Sequence, residues 1–218
     1  MLICVSDRSL CQTYGTLSPQ ESYFRRICRI CSEKPDGIII REKDMDEDAY
    51  EQLLCSLISQ SGNESKLLIA NKYTMAARNA GITRIQLSFN DFMNNRDRTQ
   101  GFACIGVSVH SCDEAVTAYA NGASYLIYGH IFNTQCKKGV PPRGIQSLKN
   151  ICLKVKIPVF AIGGITEKNA ASVIGAGAAG VCVMSGLMCC AEDELSDKIS
   201  FFKSLGNANS KFIYNMEK

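Results

Sequence analysis

The chain has 218 residues, 46% of them hydrophobic and 21% charged, with a formal net charge of +3. That length suits one domain with a sizeable core, and that balance belongs to a folded globular protein rather than a disordered or fibrous one. A charge of +3 is too small to imply a polyanionic partner, and with no basic stripe or reading helix, nucleic-acid binding is not expected.

The chain opens on an apolar run, LICVS (2–6), followed by a helical span near 19–34 in which Pro19 suits a first turn. DGIIIR (36–41) precedes DEDAYEQLLCSLISQ (46–60), where Tyr50, Leu53, Leu54, Leu57 and Ile58 recur at helical spacing. KLLIAN (66–71) leads into TMAARNAG, with Gly81 as a helix stop. RIQLS (84–88) reads as a short strand, and the polar NDFMNNRDRTQ after it as a short helix at most. FACIGVSV (102–109) precedes DEAVTAYANGA, which ends at Asn121-Gly122. SYLIYG (124–129) is a strand, GIQSLKNICLKV (144–155) a helix and IPVFAIGG (157–164) a strand. TEKNAASVIGAG reads as a helix with Thr166 as its N-cap, stopping at 175–177. AGVCVMSG (179–186) is the last strand, and a helix runs from about 191 to 204.

Several of these eight strands are apolar almost throughout, as in a parallel sheet covered on both sides. Eight strand–helix alternations predict a closed (β/α)8 TIM barrel over residues 1–206, with a C-terminal tail at 207–218. No basic n-region with a long apolar stretch opens the chain, and no apolar run nears the roughly 18 residues of a membrane span, so a cytoplasmic protein is expected. The 12 cysteines sit mostly inside apolar runs and read as reduced thiols that pack as small hydrophobes. Cys28-Arg-Ile-Cys31 has no second Cys or His pair at zinc spacing, so no metal is expected there.

In such a barrel the active site forms where strands end. Gly163-Gly164 follows strand seven and Met184-Ser185-Gly186 follows strand eight, the two ends where backbone N–H groups reach a phosphate. The plainer reading is two tight turns. Arg41 and Lys43, two residues apart after strand two, point the same way and suit a carboxylate or a second anion, or else belong to a solvated charge run. His130, just past strand six, supplies an imidazole, a side chain suited to general acid–base work, or simply hydrogen-bonds a loop. His110 reads as structural. No P-loop, dinucleotide fingerprint or nucleophile elbow is present.

The segments "REKDM", "GVSVHSCDEA", "GASYLIYGHIFNTQCKKGVPPRG", "IPVFAIGGITEKN" and "GAAGVCVMSGLM" together resemble the thiamine phosphate synthase superfamily. Within it the likeness falls nearest the TenI-type thiazole tautomerases. The resemblance implies an isomerase that works without a cofactor, shifting a proton to turn a thiazole carboxylate phosphate into its aromatic tautomer, with His130 as the catalytic shuttle. It implies Gly163, Gly164, Met184, Ser185 and Gly186 around phosphate, and Arg41, Lys43, Ser108, Thr134, Cys136, Lys137 and Lys138 around the rest of the substrate. It also implies a small-molecule thiazole phosphate as partner and a homodimer as assembly.

Synthases typically carry Gly-Pro where this chain has Gly129-His130, and an Asn-Asp pair, its Asp on magnesium, where this chain has Asn71-Lys72. Asp91 lies near a second acidic position. The alternatives are a magnesium-dependent thiamine phosphate synthase acting on a pyrimidine diphosphate, and a regulatory protein that binds a thiazole or thiamine phosphate without turnover.

Overall fold

The computed structural model describes residues 1–205. Residue 206 and the tail expected at 207–218 lie outside the described residues. Eight strands, all parallel, close in chain order from β1 to β8, and β8 pairs back onto β1. They are β1 (Leu2–Val5), β2 (Gly37–Ile40), β3 (Leu68–Asn71), β4 (Arg84–Ser88), β5 (Cys104–Val109), β6 (Tyr125–Gly129), β7 (Val159–Ile162) and β8 (Gly180–Val183). The helices that follow them in turn are α1 (Pro19–Ser32), α2 (Glu47–Ser61), α3 (Thr74–Asn79), α4 (Phe89–Asn94), α5 (Cys112–Ala120), α6 (Gly144–Lys154), α7 (Ala170–Gly175) and the pair α8 (Ser185–Met188) and α9 (Leu195–Ser204). This is the (β/α)8 TIM barrel.

Period-two alternation divides the core. Leu2 and Cys4 face the surrounding helices together with Ile38, Ile40 and Leu126. Ile3 and Val5 instead point into the barrel with Ile39, Ile69, Tyr125, Ile127 and Phe160. Both faces are dry, which is why the strands read as unbroken apolar runs; each fully buried aliphatic side chain contributes about 1.5–3 kcal/mol. Inside the barrel, Tyr125 meets Phe160 edge-on at 5.6 Å between ring centroids. Room for that phenol comes from Gly106, where a Cβ would lie 2.1 Å from Tyr125 Cζ and 2.1 Å from Gln86 Oε1.

Helix starts are set largely by side-chain caps. Ser18 and Glu21 close a reciprocal capping box ahead of Pro19, Asp46 caps α2 and Ser111 caps α5. The expected N-cap at Thr166 is corrected. Thr166 opens a turn in which the Asn169 and Ala170 N–H groups donate to its carbonyl, and α7 begins only at Ala170. Asn169 causes the delay: its Oδ1 accepts from the Thr166 N–H at 2.9 Å and its Nδ2 donates to the Gly164 carbonyl at 2.9 Å. Those bonds fix a turn where the periodicity suggests helix. The helix expected near 191 begins at Leu195, and the one-turn α8 precedes it.

All 12 cysteines are free. Burial pushes the Cys104 and Cys152 thiols up to about 11, so they stay protonated and inert. Cys28 and Cys31 both turn toward the Ser61 hydroxyl, at 3.8 and 3.7 Å. No helix of the described residues is long and apolar enough to cross a membrane.

Candidate active site

The alternation that fills the barrel also delivers polar side chains to its C-terminal mouth. Two residues beyond the inward Ile39 stands Arg41, and two beyond Ile69 stands Asn71. Gln86 and Ser108 hold the same inward phase on β4 and β5, where Gln86 Nε2 donates to Ser108 Oγ at 2.9 Å. These four residues line one cavity of about 640 Å³ at the mouth. Its far wall is the β7 and β8 exits: Gly163, Gly164, Met184, Ser185 and Gly186. Its roof is the segment after β6, with His130, Thr134, Cys136 and Lys137. Lys43 joins Arg41 on the near side.

The structure thus brings together every residue that the sequence placed in the site except Lys138, which is exposed on the roof segment and does not line the cavity. Gln86, Asn71, Asp7 and Ser9 also line it. Gln86 aligns with Ser108 only through the β4–β5 register, and Asp7 and Ser9 carried no signal. His110 also lines the cavity, against the expectation that it is structural. Two residues past Ser108, it keeps that residue's inward phase just beyond the end of β5. Its backbone N–H donates to Glu114 Oε2 at 2.7 Å, and its Nδ1 lies 3.5 Å from the same oxygen.

The two glycines after β7 are required by space and by conformation. Gly163 has φ +100° and Gly164 φ +66°. A Cβ on Gly163 would sit 2.3 Å from His130 Cβ, and one on Gly164 would sit 2.3 Å from the Asn133 carbonyl oxygen. Among the described residues the Gly164 N–H makes no turn or loop hydrogen bond, while Gly163 directly follows the β7 end that pairs with Cys182 of β8. A backbone with free donors and no side chains is what a phosphate approaches most closely.

His130 is buried, and its peptide bond to Gly129 is cis. Its Nε2 lies 3.1 Å from the Val140 carbonyl oxygen. Around it the Arg143 N–H donates to the His130 carbonyl, the Gly144 N–H to the Ile131 carbonyl, and Arg143 Nε to the Gly129 carbonyl at 2.8 Å. The imidazole therefore fastens the middle of the segment that roofs the cavity.

The cavity wall carries three cations, Arg41, Lys43 and Lys137, against one acid, Asp7. Among the described residues, Arg41, Lys43 and Lys137 have no carboxylate partner. The carboxylates between and beside the β2 cations are otherwise engaged. Glu42 is buried, accepting from Ser6 Oγ at 2.7 Å, Tyr23 Oη at 2.8 Å and the Arg8 N–H at 3.1 Å. Asp44 pairs with Arg8 at 2.6 Å, which holds its carboxyl below the usual range. Ser6 Oγ also accepts the Arg41 N–H at 2.9 Å, so the buried network sets the strand end from which Arg41 projects.

A magnesium site built on two carboxylates needs acids at the β3 and β4 exits. The β3 exit offers Lys72, a cation. Asp91 Oδ2 accepts from its own helix cap, Ser88 Oγ, at 2.6 Å and does not line the cavity. Among the described residues no three His, Cys, Asp or Glu side chains group as metal ligands. This donor set does not fit a two-carboxylate magnesium site.

A family model described as thiamine monophosphate synthase matches residues 2–187. The chain belongs to that family. A thiamine-phosphate synthase from Clostridium acetobutylicum is 36% identical over 173 residues, covering 78% of this chain and 81% of that one. Another, from Methanoregula boonei, is 32% identical over 179 residues, covering 81% and 83%. A solved thiamine phosphate pyrophosphorylase from Pyrococcus furiosus superposes over 100% of this chain and 96% of its own, with TM-score 0.74 and 22% identity, a likeness of fold.

These relatives overturn the tautomerase expectation. They are named as synthases, which are transferases, and the isomerase reading is withdrawn in favour of its alternative. The structural reason for the misreading lies at His130: an imidazole taken for a proton shuttle has Nε2 engaged by the Val140 carbonyl.

Proposed function

We propose that this chain is a transferase of the thiamine-phosphate synthase kind, joining a pyrimidine carried as its diphosphate to a thiazole phosphate. The observation that carries the reading is one cavity with two separate anion ends. The Gly163-Gly164 backbone lines it at the β7 exit, and Arg41 and Lys43, without carboxylate partners among the described residues, line it at the β2 exit.

In the proposed reaction the thiazole phosphate is held at the β7 and β8 turns by Gly163, Gly164, Met184, Ser185 and Gly186. The diphosphate end lies at Arg41 and Lys43, with Lys137, and Lys138 beside it, adding charge from the roof. Ser108, Thr134 and Cys136 line the wall between; because Ser108 Oγ already accepts from Gln86, its own proton is free to donate to a ring nitrogen. The thiazole nitrogen lone pair forms a C–N bond to the pyrimidine methylene carbon as the C–O bond to diphosphate breaks. Diphosphate leaves with the electron pair. Most of the catalysis is positioning plus charge stabilisation on the departing group. His130 acts as a positioning residue for the roof. A cytoplasmic setting and a homodimer belong to the same proposal.

The test is direct. Purified protein is given the pyrimidine diphosphate and the aromatic thiazole phosphate, with magnesium or with EDTA, and thiamine phosphate is followed by chromatography. Product above the protein-free rate in either condition is the expected result. No product in both, with thiazole phosphate still bound, sinks the transferase and favours the non-catalytic binding protein.

A further inference from the structure

The misfit between the diphosphate end and a magnesium site has a consequence of its own, resting on the transferase reading above. Lys72 leaves β3 directly after Asn71, which lines the cavity, and it does so at φ +68°. Left-handed backbone is unfavourable for a residue with a long side chain. Only one other described non-glycine residue has it, Lys34, in the α1–β2 turn at the opposite end of the barrel. The bend is held by the Lys72 N–H donating to the Gln86 carbonyl at 3.0 Å and by the Tyr73 N–H donating to the Asn71 carbonyl at 2.8 Å.

The ammonium it presents is exposed and has no carboxylate partner among the described residues. Nζ lies 3.1 Å from Tyr73 Oη and 4.5 Å from the ring centroid. Tyr73 Oη in turn donates to the Met45 carbonyl at 2.6 Å, so Lys72 is parked against the loop that carries Arg41 and Lys43. Arg41 and Lys43 line the cavity, and Lys72, which does not line it, stands just outside at the β3 exit, so three cations follow the β2–β3 edge. The neighbouring acids are spent: Glu42 on Ser6, Tyr23 and the Arg8 N–H, Asp44 on Arg8.

We infer that Lys72, with Arg41 and Lys43, holds the substrate's diphosphate directly, so that this site binds and releases diphosphate without a resident divalent cation. Only weak contacts to a tyrosine restrain the ammonium, and a four-carbon stem lets it swing to an anion beside Asn71. A lysine gives a compact charge with three donors, which suits non-bridging phosphate oxygens. It cannot share its place with a cation.

The probe is inorganic pyrophosphate, titrated calorimetrically at fixed ionic strength into the whole chain in EDTA and in excess magnesium. Wild type is expected to bind in EDTA. Lys72→Asn removes the charge while tolerating positive φ, and is expected to weaken EDTA binding about 10-fold or more, the scale of a lost charged hydrogen bond. Lys72→Arg keeps the charge and is expected to restore most of it. Lys72→Asp is expected to bind only once magnesium is supplied. Matching thermal melts confirm that the variants fold. Wild-type binding that requires magnesium, or Lys72→Asn binding like wild type in EDTA, overturns the inference. Failure of the parent reading looks different: pyrophosphate binds without metal, and no thiamine phosphate forms under any condition.

Discussion

At Gly163 one hydrogen atom in place of a methyl group decides two things at once. The φ of +100° is a region that residues with a Cβ rarely enter, and the added Cβ would meet His130 Cβ at 2.3 Å and Cα at 2.7 Å. Gly163→Ala should therefore cost about 2–4 kcal/mol, combining backbone strain and overpacking. It should also shift the backbone that lines the cavity. A urea melt paired with a thiazole phosphate titration checks both, and a variant as stable as wild type with unchanged affinity contradicts the packing described. The glycine pair was legible in the sequence because only glycine serves there. Gln86 was missed because its alignment with Ser108 depends on the β4–β5 register, which no single strand's sequence carries. His110 was misread although two strand steps put it in phase with Ser108.

The roof segment, residues 130–144, is the element on which the reading of function turned. Its basic residues and prolines marked it as a loop, and of the two readings of His130 the plainer one, a hydrogen bond to that loop, is the contact found. Nε2 and the Val140 carbonyl make one bond, and the backbone bonds from Arg143 and Gly144 close the far end. A single hydrogen bond contributes about 0.5–1.5 kcal/mol, so breaking it should raise the opened population roughly 2- to 12-fold. His130→Phe keeps a ring in the space and deletes the bond. Trypsin, which cuts after the exposed Lys137 and Lys138, then reports the change, since cleavage tracks the open population when closing is fast. Faster cutting here, with other sites unchanged, is the expected outcome; an unaltered rate means that the histidine does not secure the loop. Helix onsets misread for the same kind of reason: Asn169 diverts the chain into a turn at 166–169 before α7 begins.

Across the whole molecule, architecture was easier to read than chemistry. Eight apolar runs separated by amphipathic ones leave little choice but a barrel, whereas tautomerase and synthase differ by a few side chains at its mouth. One group links that mouth to global stability. Glu42 joins β1 through Ser6, α1 through Tyr23 and the following loop through Arg8. Burial raises its carboxyl above the ordinary range, while the Ser6, Tyr23 and Arg8 bonds pull it partly back. The folded chain thus holds this proton more tightly than the unfolded chain, whose glutamates titrate near about 4.3. The contribution to stability is complete below that value and is lost as pH rises through the raised folded one. Glu42→Gln cannot titrate, so the stability difference between wild type and variant isolates the effect. Urea unfolding from pH 4 to 8 should show wild type losing ground to Glu42→Gln as pH rises. A wild type that instead gains on the variant over that range would mean that the three hydrogen bonds to the carboxylate outweigh its burial, and that the network grips Arg41 best when charged.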